Sequence, residues 1–279
     1  MKFHGWFKPQ HDFQYAKRAL KAGLHGFEIT GGESHYDPEE FKRYRANIER
    51  IKDELQASFT LHAPITDINL GSINRRIRQA SLEDVQAALE FAREIGASAV
   101  ALHASPGMLA MPGGKWSQET KSPPIQAELV QQEELLIESV RKLADGAADL
   151  IIGLENLVYP HELYRSPEEV AGLVGKIGRP NVGITLDVGH AVVSGYDPLS
   201  FVHRLSERIV HVHLHDNSGT VDEHLPLGQG SIDYKRVIRA LEQASYQGVV
   251  ALEFILADPD DYRPYLEEFA RVVEDVQES

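Results

Sequence analysis

Short apolar runs rich in β-branched residues alternate along the chain with longer segments in which apolar residues recur with helical spacing. Eight such runs are present, ending near Gly5, Thr30, Ala63, His103, Glu155, Asp187, Leu214 and Phe254. Short strands separated by helical segments are typical of a parallel sheet built from βα units. Eight repeats of this unit predict a (β/α)8 barrel, the TIM barrel.

The segments between the runs carry signals for the start of a helix. Ser166–Glu169 combines a capping serine with proline at the first helical position and acids behind it. Ser81–Asp84 shows a capping-box pattern, so a helix is predicted to start at each of these two serines. Five further helices are predicted over residues 11–22, 38–56, 125–145, 233–245 and 260–276.

One irregular stretch, from Ser105 to Pro124, is long for a loop inside a compact domain. Loops of this length are usually functional lids, and a surface excursion without regular structure is the alternative. We expect its tip, Gly113–Trp116, to contribute to substrate binding but not to metal binding.

The composition is that of a globular protein. Of the 279 residues, 42% are hydrophobic and 25% are charged, which is ample material for a core. Barrels of this kind commonly occupy about 250 residues as one unit, so residues 1–279 are predicted to form a single domain. No apolar run approaches the roughly 20 residues that span a bilayer, and Met1–Trp6 lacks the hydrophobic stretch of a signal peptide. We therefore expect a cytoplasmic protein that does not bind membranes.

The chain contains no cysteine, which excludes disulfides, thiolate metal ligands and a cysteine nucleophile. Any bound metal must therefore be held by His, Asp and Glu. The formal net charge is -14, with 28 basic and 42 acidic side chains. This charge disfavours broad attraction to nucleic acid, although a local basic groove remains compatible with it.

Potential metal ligands stand where the apolar runs end. They are His62, His103, Glu155, Asp187, His213 and Glu253, with His190 shortly after Asp187. In a TIM barrel all strands open with their carboxyl ends onto one face, so these side chains converge. A single histidine in such a place is more often structural. Several buried carboxylates and imidazoles together need a common partner for their charge, and a divalent cation is the simplest one.

Three segments, Gly153–Asn156, Leu186–His190 and the run from His213 to Asp233, resemble the xylose-isomerase-like superfamily, which includes sugar phosphate isomerases and epimerases and also endonuclease IV. The resemblance covers nearly the whole chain. Endonuclease IV binds three zinc ions through nine ligands, and residues of the matching type are His62, His103, Glu155, Asp187, His190, His213, Asp222, His224 and Glu253. Ile68–Gly71 and Gly195–Asp197 are also similar to that enzyme.

The resemblance to the sugar epimerases implies a smaller ligand set, formed by Glu155, Asp187, His213 and Glu253. In that mechanism a metal polarises a carbonyl and an adjacent hydroxyl. Two glutamates, here Glu155 and Glu253, move a carbon-bound proton on opposite faces through an enediolate.

The chain departs from both branches of the superfamily. Phe27–Gly32 is more similar to the sugar enzymes than to the DNA-reading segment of endonuclease IV, and Leu157–Pro160 replaces the glycine-rich continuation of that enzyme. Several epimerases hold their substrate with an arginine where this chain has Asp222–His224. Asp222 and His224 favour additional metals instead.

Three functions follow as hypotheses. The first is a divalent-metal-dependent isomerase or epimerase acting on a small sugar or sugar phosphate, with Glu155 and Glu253 as proton-transfer groups and His190 near the substrate. The second is a zinc-dependent phosphoesterase of endonuclease IV type with a multinuclear site, acting at abasic sites or related phosphodiesters. The third is a non-catalytic barrel, which an open metal site disfavours. One to three ions of zinc or manganese, with magnesium as an alternative, are expected per chain.

Other polar residues have a structural interpretation beside the functional one. His211 and His215 share a strand face with His213, and we expect them to pack or to support the ligands. His4 and Trp6 either line the floor of the pocket or pack in the core. Arg75, Arg76 and Arg78 would suit a substrate phosphate, but a solvated helix face is the preferred interpretation.

Overall fold

Eight parallel strands close into a barrel in which each strand pairs with the next and the last pairs with the first. The computed structural model describes residues 1–104, 123–159 and 162–278. The strands are β1 Lys2–Phe7, β2 Gly26–Thr30, β3 Ser58–His62, β4 Val100–His103, β5 Ile152–Glu155, β6 Val182–Asp187, β7 Ile209–Leu214 and β8 Val249–Leu252. The predicted (β/α)8 fold is confirmed, and the predicted strand ends lie within two residues of those observed.

Helices connect the strands along the outside of the barrel. In the described part of the chain they are α1 Phe13–Ala22, α2 Pro38–Leu55, α3 Arg75–Ile95, α4 Pro123–Gly146, α5 Pro167–Ile177, α6 Val188–Val193, α7 Pro198–Leu205, α8 Tyr234–Gln243 and α9 Arg263–Gln277. Short 3-10 turns cover Glu33–His35, Ser206–Arg208 and Pro259–Tyr262. Among the described residues, no helix has both the length and the apolar character needed to cross a membrane.

The capping box predicted at Ser166 is confirmed. The Ser166 hydroxyl accepts the backbone N–H of Glu169, and the Glu169 carboxylate accepts the backbone N–H of Ser166. Pro167 occupies the first helical position, where its missing N–H costs nothing. The start of α5 is therefore determined by local sequence.

The helix start predicted at Ser81 is wrong. Helix α3 begins at Arg75 and is capped by Asn74, whose side chain accepts the backbone N–H of Arg76. Ser81 lies inside the helix on its buried face, where its hydroxyl donates to the carbonyl of Ile77 and accepts the N–H of Asn69. A serine followed by acids matches the capping pattern equally well inside a helix, and the upstream asparagine provides the cap.

The basic residues of α3 belong to a solvated face. Arg75 and Arg76 are exposed. Arg78 is half-buried, and its guanidinium donates to the carbonyl of Ser72. The long loop predicted from Ser105 lies outside the described residues over 105–122, and its last two residues, Pro123 and Pro124, belong to α4.

The strand register aligns the carboxyl ends at one edge of the barrel. His103 pairs with Glu155 between β4 and β5, and Asp187 pairs with His213 between β6 and β7. Ligand candidates on neighbouring strands therefore stand side by side, because paired residues of parallel strands share a level in the sheet.

Below this edge, the barrel contains a set of fully buried polar side chains that we name the interior polar cluster: His4, Glu28, Thr60 and His211. Most barrels of this fold fill the interior with branched apolar side chains. The His4 Nδ1 atom lies 3.2 Å from the Thr60 hydroxyl, so His4 belongs to this cluster and not to an open pocket floor.

The capping box of α5 yields a stability prediction. We expect Ser166→Ala to lower the free energy of unfolding by about 1 kcal/mol, because the alanine leaves a helix N–H without its acceptor. Chemical denaturation monitored by circular dichroism measures the change. Ser166→Asp is the matched control, since aspartate also caps helices, and it should retain the stability of the unchanged chain. Equal losses in the two variants would contradict the role assigned to the cap.

Candidate metal centre

The first cluster consists of Glu155, Asp187, His213 and Glu253, which supply three carboxylates and one imidazole from the ends of β5 to β8. One ligand atom from each residue lies within 4.8 Å of those of the other three, and all four residues are buried. The His213 Nδ1 atom is 3.1 Å from Glu155 Oε1, 3.3 Å from Glu253 Oε2 and 3.7 Å from Asp187 Oδ2. Nδ1 is thus the nitrogen of His213 that faces the carboxylates.

Hydrogen bonds to Asn156 and His190 hold Asp187 in place. The Asn156 side chain bridges to Asp187, donating to its carbonyl at 2.9 Å and accepting its N–H at 2.8 Å. The N–H of His190 donates to Asp187 Oδ1 at 2.6 Å, so Asp187 also caps the short helix α6. The ligand atoms that remain face the interior of the cluster.

Neighbouring groups of opposite charge shift the pKa values of Glu155 and His213 in the first cluster. Burial works to raise the pKa of Glu155, but the neighbouring His213 and His103 more than offset it and hold the pKa well below its usual value. Burial likewise opposes charge on His213, yet Glu253 and Glu155 outweigh it and raise the pKa of His213. The cluster therefore favours the ionised form of Glu155 and the positively charged form of His213.

The residues of the first cluster fit a divalent cation. Glu155 Oε2 and Asp187 Oδ2 are buried and have no hydrogen-bond partner among the described residues. Buried carboxylate oxygens without partners are costly, and a cation would satisfy both. Three carboxylates with one imidazole suit manganese, magnesium or zinc.

The second cluster consists of His190, His215, Asp222 and His224, again with one ligand atom each within 4.8 Å of one another. Asp222 Oδ2 lies 3.1 Å from His224 Nε2 and 3.3 Å from His190 Nε2. Asp222 Oδ1 is buried without a hydrogen bond to any described residue and lies 3.6 Å from His215 Nε2. Three imidazoles and one carboxylate form a donor set typical of zinc.

The loop after β7 positions two members of the second cluster, and Asp216 organises that loop. Its carboxylate accepts the backbone N–H groups of Gly228, Gly230 and Ile232. Asp216 also forms an antiparallel bridge with Leu225, directly after His224. The loop is therefore tied to the barrel on both sides of its ligand-bearing segment.

His224 has an unusual backbone conformation and a stacked ring. Its φ of 48° is left-handed, which is unfavourable for a residue other than glycine. Its ring stacks on His215 at a centroid distance of 4.0 Å and on Trp6 at 5.6 Å. Burial opposes charge on His224, but Asp222 outweighs it and raises the pKa of His224 to about 9.

Two more of the predicted residues, His62 and His103, join the clusters through Glu155. His62 Nε2 and His103 Nε2 lie 3.4 Å and 3.2 Å from Glu155 Oε2. His190 stands between the two clusters, with Nδ1 3.4 Å from Glu155 Oε1 and Nε2 close to Asp222. The structure thus brings all nine residues suggested by the sequence to one face of the barrel.

Sequence reasoning did not identify three residues near the site. His215, expected only to pack or support, places Nε2 3.2 Å from Asp187 Oδ1 and joins the second cluster. Gly189 makes room for it, since a Cβ there would lie 2.0 Å from the His215 ring. The spacing of His211, His213 and His215 by two residues was the available signal.

Glu28 and Lys8 are the other two. Glu28 lies in the middle of β2, and its Oε1 atom is 2.9 Å from His213 Nε2. The sequence carried no signal for this contact, because Glu28 is not at a strand end. Lys8 follows β1, and its ammonium lies 3.4 Å from the centroid of the Trp6 ring. Burial lowers the pKa of Lys8, and the charge of Glu253 opposes that shift. Lys8 therefore lies at the end of β1, within electrostatic reach of Glu253.

Comparisons with known proteins agree with this architecture. The family model described as the xylose isomerase-like TIM barrel matches residues 16–272. An uncharacterised protein of Methanocaldococcus jannaschii is 30% identical over 251 residues, which cover 88% of this chain and 80% of that protein. The solved structure of a D-tagatose 3-epimerase-like protein aligns with a TM-score of 0.79 and 28% identity over 99% of both chains.

Two relatives with assigned activities are enzymes. An inosose dehydratase of Geobacillus thermodenitrificans is 31% identical over 50% of this chain and 55% of its own length. A fructoselysine 3-epimerase of Escherichia coli O157:H7 is 22% identical over 88% of this chain and 86% of its own. The match to the family model spans most of the barrel and includes every residue of the two clusters. The chain therefore belongs to the xylose isomerase-like TIM-barrel family.

Proposed function

We propose that this chain, acting as one domain over residues 1–279, is a divalent-metal-dependent epimerase or isomerase of a small sugar or sugar phosphate. The proposal rests on the positions of two glutamates, Glu155 and Glu253, whose carboxylates both lie close to Nδ1 of His213. All three residues belong to the buried set of four ligand residues that forms the first cluster. The two glutamates come from β5 and from the residue after β8, which are not neighbours in the barrel. Relatives named as sugar epimerases support the same class of reaction.

The first cluster would hold the metal, which when bound supplies a Lewis acid that makes a carbon-bound proton beside a carbonyl more acidic. Glu155 and Glu253 are the bases available on either side of that carbon. One carboxylate accepts the proton, and the other returns a proton to the opposite face of the same carbon, which inverts that carbon. Return of the proton to the neighbouring carbonyl carbon, with the hydroxyl proton passing to the former carbonyl oxygen, would instead move the carbonyl. The low pKa of Glu155 keeps its carboxylate ionised at neutral pH.

His190 and Lys8 would bind the substrate. His190 Nε2 is directed toward Asp222 at the boundary of the two clusters, where an imidazole N–H can donate to a sugar oxygen. Lys8 provides a positive charge at the end of β1, suited to a hydroxyl or to a phosphate. Both groups would orient the sugar so that its reacting carbon lies between the two glutamates.

A second candidate function is metal-dependent hydrolysis of a phosphoester, and the second cluster is the observation that favours it. Adjacent cations suit this reaction because they stabilise both the attacking and the leaving oxygen. The unsatisfied Asp222 Oδ1 and the three surrounding imidazoles fit a cation of their own. The epimerase proposal instead assigns the second cluster to substrate binding.

The first functional test removes one of the two proton-transfer groups, Glu253. We expect Glu253→Gln to lower the rate of interconversion by at least about 100-fold, because an amide cannot accept the carbon-bound proton. Nuclear magnetic resonance in D2O measures this directly as deuterium entering the substrate carbon. The panel comprises D-tagatose, D-psicose, D-fructose, their phosphates and fructoselysine.

Glu207→Gln is the matched control for that test. Glu207 is exposed and precedes β7, at the opposite end of the barrel from the clusters, so this variant should keep the unchanged rate. If Glu253→Gln exchanges deuterium as fast as the unchanged chain on a sugar that the latter converts, the assignment of Glu253 is wrong.

Metal content separates the two candidate functions. We expect Asp187→Asn to lose the ion of the first cluster and Asp222→Asn to retain it, because Asp187 contributes a ligand oxygen to that cluster and Asp222 does not. Elemental analysis of protein purified without added metal or chelator measures the ions per chain.

One ion per chain, as manganese or magnesium, supports the epimerase or isomerase. Two or three zinc ions, one of them lost in Asp222→Asn, would support the phosphoesterase. Duplex DNA with an abasic site and simple phosphate esters would then be the substrates to assay.

A further inference from the structure

A fourth buried carboxylate lies beneath the first cluster and takes no part in the proposed proton transfer. Glu28, in the middle of β2, is fully buried. No lysine or arginine pairs with it among the residues that the structure describes, and its ionisable neighbours are the imidazoles of His211 and His213. Burying a carboxylate costs desolvation free energy, so the groups around Glu28 should include partners that offset this cost.

The two oxygens of Glu28 have different surroundings. Oε2 accepts a hydrogen bond from the Thr60 hydroxyl at 2.9 Å and lies 2.5 Å from His211 Nε2. Oε1 accepts no hydrogen bond from any described residue. It faces His213 Nε2 at 2.9 Å, and that nitrogen is likewise buried without a hydrogen bond. Two buried polar atoms of complementary chemistry therefore lie 2.9 Å apart, close enough for a hydrogen bond once the ring N–H is aligned with Oε1.

The chemistry of the imidazole explains this arrangement. A neutral imidazole carries a single N–H, on one nitrogen or on the other. In the structure, His213 Nδ1 is aligned with Glu155 Oε1 at 3.1 Å. If Nδ1 is to offer a lone pair to a cation, the N–H must reside on Nε2. Glu28 Oε1 is then the acceptor within reach.

The fold holds Glu28 in this position. Glu28 pairs with Thr60 in the register of β2 and β3, which places the hydroxyl beside Oε2. The Thr60 hydroxyl in turn lies within hydrogen-bonding distance of His4 Nδ1, at 3.2 Å. With Oε2 held by the interior polar cluster, Oε1 is directed across the barrel toward β7.

We propose that Glu28 is a positioning residue for His213: it accepts a hydrogen bond from the Nε2–H of that ring and thereby presents Nδ1 as a ligand to the cation of the first cluster. This inference rests on the proposed function only in taking the first cluster to bind a cation. Carboxylates behind ligating histidines commonly fix the tautomer and raise the basicity of the ligand.

The test compares two changes at Glu28 with one at its neighbour. Glu28→Gln removes the charge but leaves an amide oxygen, and Glu28→Met removes the acceptor at similar volume. Thr60→Val is the matched control, because it removes one of the two partners of Oε2 and leaves His211 to hold that oxygen, so that Oε1 stays next to His213. Zinc affinity is measured by competition with a chromophoric chelator, and thermal melting checks that each variant is folded.

We expect Glu28→Gln to weaken zinc binding about 10-fold and Glu28→Met about 100-fold, the span typical of lost partners behind ligating histidines. Thr60→Val should change the zinc affinity by less than about threefold, since it leaves the acceptor of His213 intact. If Glu28→Met does not fold, Glu28→Gln still decides the point.

The nuclear magnetic resonance signal of the His213 ring distinguishes a positioning role of Glu28 from a general structural role. In zinc-loaded protein with nitrogen-15 histidine, we expect the His213 ring to be protonated at Nε2, with a proton resonance shifted downfield by its bond to Glu28. In Glu28→Gln that resonance should move upfield and exchange faster with water. Thr60→Val should keep it in place.

Two results would overturn the inference. One is wild-type zinc affinity with an unchanged His213 resonance in Glu28→Gln. The other is the loss of one whole ion per chain in that variant, which would make Glu28 itself a ligand. A wild-type chain that binds zinc but converts no sugar would overturn the proposed function alone, whereas a wild-type chain that takes up no ion would overturn both.

Discussion

The structure depends on the mutual compensation of charge among carboxylates and imidazoles buried in and above the barrel. Glu155, Asp187 and Glu253 surround His213 Nδ1, while Glu28 approaches the other nitrogen of the same ring. Each of these carboxylates, taken alone, would be expensive to bury, because the interior solvates charge poorly. They are tolerated together because the imidazoles between them supply the opposite charge and the remaining oxygens suit a cation.

The closed barrel brings these carboxylates and imidazoles close enough to compensate one another's charge. Its parallel strands bring their carboxyl ends to one edge, where neighbouring strands place His103 beside Glu155 and Asp187 beside His213. The same closure brings β2 and β7 within contact distance across the interior, although Glu28 and His211 are separated by 183 positions in sequence. The interior polar cluster thus continues the chemistry of the site into a region that most barrels fill with apolar side chains.

Much of this architecture could be predicted from sequence. Strand and helix periods are local properties, so the eight strands and the capped start of α5 followed directly from the residues present. The prediction failed where a local pattern had two structural solutions, as at Ser81, whose neighbours resemble a helix start although Asn74 provides the cap. The nine candidate ligands followed from their positions at strand ends and from the family resemblance.

The sequence by itself determined the fold, the absence of thiolate ligands and the residue types available for a metal, because those depend on composition and on short-range pattern. The tertiary structure decided which of these residues face which atom. It placed His215 in the second cluster, made possible by the close approach at Gly189, and it directed one oxygen of Glu28 toward His213. These contacts join strands far apart in the chain, and their geometry is set by barrel closure and strand register, which no local pattern encodes.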